Sequence, residues 1–285
     1  MYDLFKAITT EFLGTFLLSF VTSAVLSLSI PNGNTVLGSA FSIGLTYLGL
    51  IYVWNSFSGA NFNPLITLSL AFAGRLSWCR ALLYLIVQFI GAIAGAALAG
   101  WIYGNQTDEI PVSHVVDSEP WKVVVLEIIL SFMLAITFLF MTRNPMVSIV
   151  SAFVIASVLI ADILVGGYLA TVFVNPATAL GFGVFNGQLA NYWVVIVGAI
   201  IGALLAALVY KLFTMPWTCA EIANKGCDSS CGEPVFYEEW KDCGDAHMTL
   251  KNHKHVEEVK EFVVQPELIV ERPMKGRRNY KYTQL

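Results

Sequence analysis

Two triplets, Asn63-Pro64-Leu65 and Asn175-Pro176-Ala177, are the places in this chain where residue type and spacing point to chemistry. That chemistry is hydrogen bonding rather than bond making. Proline fits the first turn of a helix, where its missing N–H costs nothing, and asparagine is a favoured cap, so each triplet reads as a helix start. The apolar run that follows each one is too short to cross a bilayer. A half-length helix among spanning helices aims its positive N-terminal end and one Asn amide at the membrane midplane. No nucleophile, metal-ligand or cofactor signature accompanies the triplets in the apolar region, and nothing suggests a nucleic-acid partner. The expectation is a protein without an enzymatic activity, a metal or a cofactor.

The elements that must hold these triplets follow from composition. The 285 residues are 56% hydrophobic and 13% charged, with a mean hydropathy of +0.68. That is too apolar for a soluble domain, and the longest runs match a hydrocarbon core of about 30 Å. Spanning helices are expected over Ala7 to Leu28, Val36 to Trp54, Trp78 to Tyr103, Trp121 to Met141, Met146 to Gly166 and Tyr192 to Phe213, with the Asn-Pro segments after the second and the fifth. The first run has Lys6 ahead of it but no small-residue cleavage site, and Glu11 sits inside it, so it reads as a retained helix rather than a secretory signal.

The chain also repeats itself. Glu11 matches Glu127, Asn63 matches Asn175, and Gly91 and Gly95 match Gly198 and Gly202, each pair separated by roughly 110 residues. Three spans per half is an odd number, so the halves enter the membrane from opposite sides and the half-helices meet tip to tip. The fold class expected is all-α and polytopic, an inverted repeat of six transmembrane helices plus two re-entrant half-helices. Lys6, Arg75, Arg80, Arg143 and Lys211 fall on one side of this topology, while Asp108, Glu109, Asp117 and Glu119 fall on the other with Lys122. The positive-inside rule then places both termini in the cytosol.

Glu11 and Glu127 are expensive in hydrocarbon and must mark a function or a paired support. Their matching positions favour support, each carboxyl accepting backbone N–H groups of the loop that leads into a half-helix, with a proton relay as the alternative. The four matched glycines have the small-xxx-small spacing that lets helix backbones approach closely.

Several of these segments carry a family resemblance: Glu11-Phe12-Leu13-Gly14-Thr15, Ser58-Gly59-Ala60-Asn61-Phe62-Asn63-Pro64, Gln88-Phe89-Ile90-Gly91-Ala92 and Asn175-Pro176-Ala177. Over residues 1 to 213 the chain resembles the aquaporin, or major intrinsic protein, family. The resemblance implies a homotetramer in the lipid bilayer, each subunit with its own pore, in which Asn63 and Asn175 donate to a single file of water or small neutral solute. Two positive helix ends at the centre would oppose protons and cations.

Departures from the family pattern sharpen the expectation. Thr178 stands where the family usually places an arginine at the outer constriction, and the other constriction positions become Ile43, Ile163 and Val172. The filter implied is apolar and uncharged, passing water and small neutral solutes of the glycerol and hydrogen peroxide class. Leu65 replaces the alanine of the first triplet, and Asn61 stands where the family often has histidine. These features are similar to the unorthodox branches, the superaquaporins and the plant small intrinsic group, and leave plasma and internal membranes both open. Two other functions stay open: a poorly conducting scaffold or junction protein, and an ion channel. The latter draws on Asp162, which adjoins Ile163. Its carboxylate either faces the pore, where it would attract cations or bond polyols, or lies near the outer helix end, bonded to loop backbone or reaching interfacial water.

Residues 214 to 285 contain no spanning run and are expected to form a largely disordered cytosolic tail, with His255 to Val264 alternating enough for a short element against a partner. Cys219, Cys227, Cys231 and Cys243 read as free thiols in a reducing cytosol, with disulfides, or a zinc site drawing on His247, His253 or His255, as alternatives. Thr283-Gln284-Leu285 has the form of a C-terminal PDZ ligand, and Lys275, Arg277, Arg278 and Lys281 with Tyr280 and Tyr282 could instead lie on anionic lipid. Asn105-Gln106-Thr107 is a glycosylation sequon in the third loop.

Overall fold

A computed structural model describes residues 2–29, 36–104, 120–143, 149–167, 174–187 and 189–214. The tail assignments, the sequon and Val172 lie outside these residues. Eight helices follow in order: α1 (Tyr2–Ser29), α2 (Val36–Ser58), α3 (Pro64–Phe72), α4 (Trp78–Tyr103), α5 (Pro120–Met141), α6 (Ile149–Gly166), α7 (Pro176–Asn186) and α8 (Tyr192–Thr214), with no strand among the described residues. Six of them, all but α3 and α7, are long and apolar enough to cross a membrane. The 9 residues of α3 and 11 of α7 extend only about 1.5 Å each, far short of a bilayer core of about 30 Å. The chain is an integral, multi-pass, all-helical membrane protein.

Two boundaries differ from those read from the sequence by more than a single turn. Helix α1 starts at Tyr2 rather than Ala7, and α2 runs on past Trp54 to Ser58. Helix α2 stops there because Gly59 takes a φ of +92, a conformation only glycine adopts without strain.

Helix α1 packs most extensively on α4, and α5 on α8, so the two halves use matching partners. The four matched glycines explain both contacts. A Cβ on Gly91 would lie 2.5 Å from the Phe12 carbonyl oxygen, and one on Gly95 would lie 2.2 Å from that of Phe16. On the other side, Gly198 would meet the Glu127 Cβ at 2.4 Å and Gly202 the Ser131 Cβ at 2.5 Å. With no hydrophobic gain from burying one apolar helix against another in lipid, association rests on such close backbone packing.

The outward faces carry large apolar side chains, among them Leu82, Ile90, Phe153 and Leu208, as a lipid-facing surface requires. Trp78, Trp101, Trp121 and Trp193 are exposed near helix ends, at the level where indole rings favour the membrane–water interface.

Candidate functional site

Each half-helix is reached through a short stretch of strained backbone. Ahead of α3, Ala60 and Phe62 both have φ of +52, and ahead of α7, Val174 has φ of +47. Such left-handed conformations cost about 1–3 kcal/mol each in residues other than glycine. Phe62 and Val174 are equivalent residues, each immediately before an Asn-Pro. Asn63 and Asn175 then sit in extended backbone as N-caps, with Pro64 and Pro176 opening the helices. The Asn63 Oδ1 accepts from the Leu65 N–H at 2.9 Å, and the Asn175 Oδ1 accepts from the N–H groups of Ala177 at 3.1 Å and Thr178 at 3.4 Å.

The strain turns two carbonyls toward the opposite half. Asn63 Nδ2 donates to the Val174 carbonyl at 2.9 Å, and Asn175 Nδ2 donates to the Phe62 carbonyl at 3.0 Å. These reciprocal bonds clasp the two helix starts together. An amide nitrogen carries two hydrogens, so each clasp uses one of the two. Leu65 is fully buried beneath its own triplet, where it packs in the apolar core.

Glu11 holds the first loop. Its Oε1 accepts from the Ser58 hydroxyl at 2.7 Å and the Asn61 N–H at 3.0 Å, and its Oε2 accepts from the Phe62 N–H and Gln88 Nε2, both at 2.8 Å. Around it, Tyr47 donates to the Asn61 carbonyl, Tyr84 donates to the Ser58 carbonyl, and Gln88 Nε2 also donates to the Thr67 hydroxyl. The irregular loop is thereby satisfied by protein groups, which the membrane interior demands. The Glu11 carboxyl thus accepts two backbone N–H groups of the loop that leads into α3. Glu127 is buried at the corresponding place on α5, while the loop it would serve, residues 168–173, lies outside the described residues. Gln88, Thr67 and Tyr47 were not singled out from the sequence as part of this network. A glutamine inside a spanning run was the available signal, since polar groups are rare there.

Of the residues expected at the constriction, Ile43 and Ile163 are buried in one apolar cluster, on helices α2 and α6 that pack together with Gly44 against Ile160. Thr178 lies in the first turn of α7, 2% exposed, and its hydroxyl donates back to the Asn175 carbonyl at 3.1 Å.

Asp162 occupies the buried face of α6 with 0% exposure, and neither carboxyl oxygen has a hydrogen-bond partner. Among the described residues it bonds no backbone group. A carboxyl sealed this way is costly in either protonation state. Asp162→Val, which removes it at modest change in volume, is expected to stabilise the fold by about 1–3 kcal/mol, read as a higher thermal midpoint in detergent. A lower midpoint would mean that the carboxyl has a partner that matters.

Beyond the first half-helix, α3 and the turn after it meet the end of α5. Arg75 donates through Nη1 to the Leu139 carbonyl at 2.7 Å and the Thr142 hydroxyl at 3.3 Å, and through Nη2 to the Thr142 carbonyl. It lies 5.6 Å from the centre of the Tyr210 ring. Its carbonyl partners are the orphans of a helix C-terminus, whose negative end suits a cation. Burial pulls the Arg75 pKa below its ordinary value; Tyr210 opposes the shift and Arg143 adds to it, yet a guanidinium stays charged in proteins. Arg80 donates through Nε to the Tyr84 hydroxyl at 2.9 Å. Both arginines line a cavity of about 230 Å³ with Ser58, Gly59, Asn61 and Thr142.

The profile of the family described as "Major intrinsic protein" matches residues 1–210. Aquaporin-5 of Mus musculus is 32% identical over 244 residues, covering 84% of this chain and 91% of the mouse protein. Aquaporin NIP1-1 of Zea mays is 28% identical over 210 residues, covering 73% and 74%. Among solved structures, the aquaglyceroporin from Plasmodium falciparum aligns at a TM-score of 0.65 with 18% identity, over 78% of this chain and 99% of that one, a likeness of fold.

Proposed function

The chain belongs to the major intrinsic protein family, whose members are channels and not enzymes, and from that premise we propose a passive pore for water and small neutral solutes with an apolar filter that lacks arginine. The observation that carries the proposal is the reciprocal clasp of Asn63 and Asn175. It leaves one amide hydrogen of each directed at a passing solute between two positive helix ends. Pro64 and Pro176 fix the helix starts, Leu65 and Ala177 fill the space behind them, and Glu11 and Glu127 brace the loops. Ile43, Ile163, Val172 and Thr178 form the outer constriction. With no cation at position 178 and two isoleucines nearby, this mouth is wider and less hydrophilic than one built around arginine. Glycerol and hydrogen peroxide are the class of solute it admits.

The basic ends of the helices, with Arg75, Arg80, Arg143 and Lys211, face the cytosol, and so do both termini. Four copies assemble, each with its own pore. Residues 214–285 form a cytosolic tail ending in Thr283-Gln284-Leu285, a ligand for a PDZ domain.

Stopped-flow shrinkage of proteoliposomes tests the channel, first with an impermeant osmolyte and then with glycerol. Fast water efflux followed by glycerol re-swelling is expected. Rates equal to those of empty liposomes, for folded protein, would instead favour a scaffold. Thr178→Arg is expected to cut glycerol flux about tenfold, equivalent to roughly 1.4 kcal/mol on the barrier, while water still passes. Unchanged glycerol flux would remove Thr178 from the constriction.

A further inference from the structure

The positive charge missing from one end of the pore is present at the other. We propose that Arg80 and Arg75 make the cavity beside Asn61 an electrostatic barrier to cations, taking the part that the uncharged outer constriction cannot play. This rests on the channel reading above.

The cavity belongs to the conduction path by its walls. Ser58, Gly59 and Asn61 line it, and they are the loop that leads directly to the Asn63 cap. Just behind this wall the Asn61 Oδ1 is buried, with no hydrogen-bond partner among the described residues. Facing these groups are the two guanidiniums.

Among the described residues, neither arginine is neutralised by a carboxylate. The Arg75 bonds go to the carbonyls and hydroxyl at the end of α5 and its face to Tyr210. Those carbonyls offset part of its charge, since a helix C-terminus carries about half a negative charge. Arg80 donates through Nε to the Tyr84 hydroxyl and lies over the same ring at 5.2 Å, and among the described residues its terminal nitrogens have no carboxylate partner. Glu11 stands behind this wall, bonded to the wall residues Ser58 and Asn61 and to Phe62 and Gln88. The sum is positive, in a recess with low-dielectric walls that concentrate the field. A neutral solute is indifferent to that field and a cation is turned away. At the outer end, Thr178, Ile43 and Ile163 supply no charge.

Arg75 also ties α3 to α5, so the test uses Arg80. Full-length protein in liposomes is assayed for water flux by stopped flow and for K⁺ leak with an entrapped indicator. Wild type is expected to pass water and hold K⁺. Arg80→Gln should keep water flux within about twofold and raise K⁺ leak at least about tenfold, a rate ratio set by a barrier change, while Arg80→Lys stays tight. Leu76→Asp sets a carboxylate on the same cavity from a different residue and should reproduce the leak, which keeps the test alive should Arg80→Gln fail to fold. Water-permeable Arg80→Gln or Leu76→Asp channels as tight to K⁺ as wild type would overturn the barrier. Wild-type liposomes with no water flux would overturn the channel reading on which it rests, a result separate from the cation arm.

Discussion

Glu11→Ala is expected to leave no folded channel in the membrane. The carboxylate serves four donors at once, from Ser58, Asn61, Phe62 and Gln88, and all are buried at 0% to 8% exposure. A buried donor stripped of its acceptor costs about 1–3 kcal/mol, and in lipid no water can replace the lost partner. Four such losses approach the whole stability of a typical domain, about 5–15 kcal/mol. Glu11→Gln keeps one acceptor oxygen but turns an NH₂ group toward two of the donors, so it should fold with a lowered thermal midpoint and reduced flux. The measurement is size-exclusion chromatography with a thermal ramp in detergent. A sharp Glu11→Ala peak with wild-type midpoint would show that the loop before α3 stands without its carboxylate.

Gly95→Val should separate helices α1 and α4. Even a single Cβ at this position would meet the Phe16 carbonyl oxygen at 2.2 Å and the Phe20 nitrogen at 2.9 Å, and these are backbone atoms that cannot rotate aside. Overpacking of an interior costs about 1–3 kcal/mol, occasionally more, and two added methyls at a helix crossing belong at the upper end. Gly49 is the control, because a Cβ there meets nothing within 4 Å. Gly49→Ala is expected to be neutral or stabilising by up to about 1 kcal/mol, from helix propensity alone. If both variants shifted the midpoint alike, close backbone approach would not be what holds α1 against α4.

The sequence made the skeleton legible for physical reasons that particular residues display. Pro64 and Pro176 mark helix starts because proline tolerates only that position, and the lengths of the apolar runs separate α3 and α7 from the spans. Gly91, Gly95, Gly198 and Gly202 announce close contacts by their spacing. That Glu11 would need partners was legible too, because a carboxyl in hydrocarbon is costly without them. The identity of its partners was not. Gln88 is 77 residues away, and no local pattern links them. Likewise Arg75 counted only as a topological charge, because its bonds to Leu139 and Thr142 span 64 and 67 residues. The left-handed turns at Phe62 and Val174 were invisible for a different reason. Glycine would have signalled them, and neither residue is glycine.

The reciprocal clasp at the midplane has a consequence for biogenesis. Asn63 finds its acceptor on Val174, and the Phe62 carbonyl finds its donor on Asn175. While the ribosome is still making the first half, that carbonyl and that amide have no mates, so the first re-entrant segment cannot be sealed when its flanking spans insert. It must wait in a wet or loosely held state until about 110 further residues have emerged. Closure of the pore centre is therefore a late event of synthesis, and a chain arrested before Val174 exposes unsatisfied polar backbone that membrane quality control can recognise.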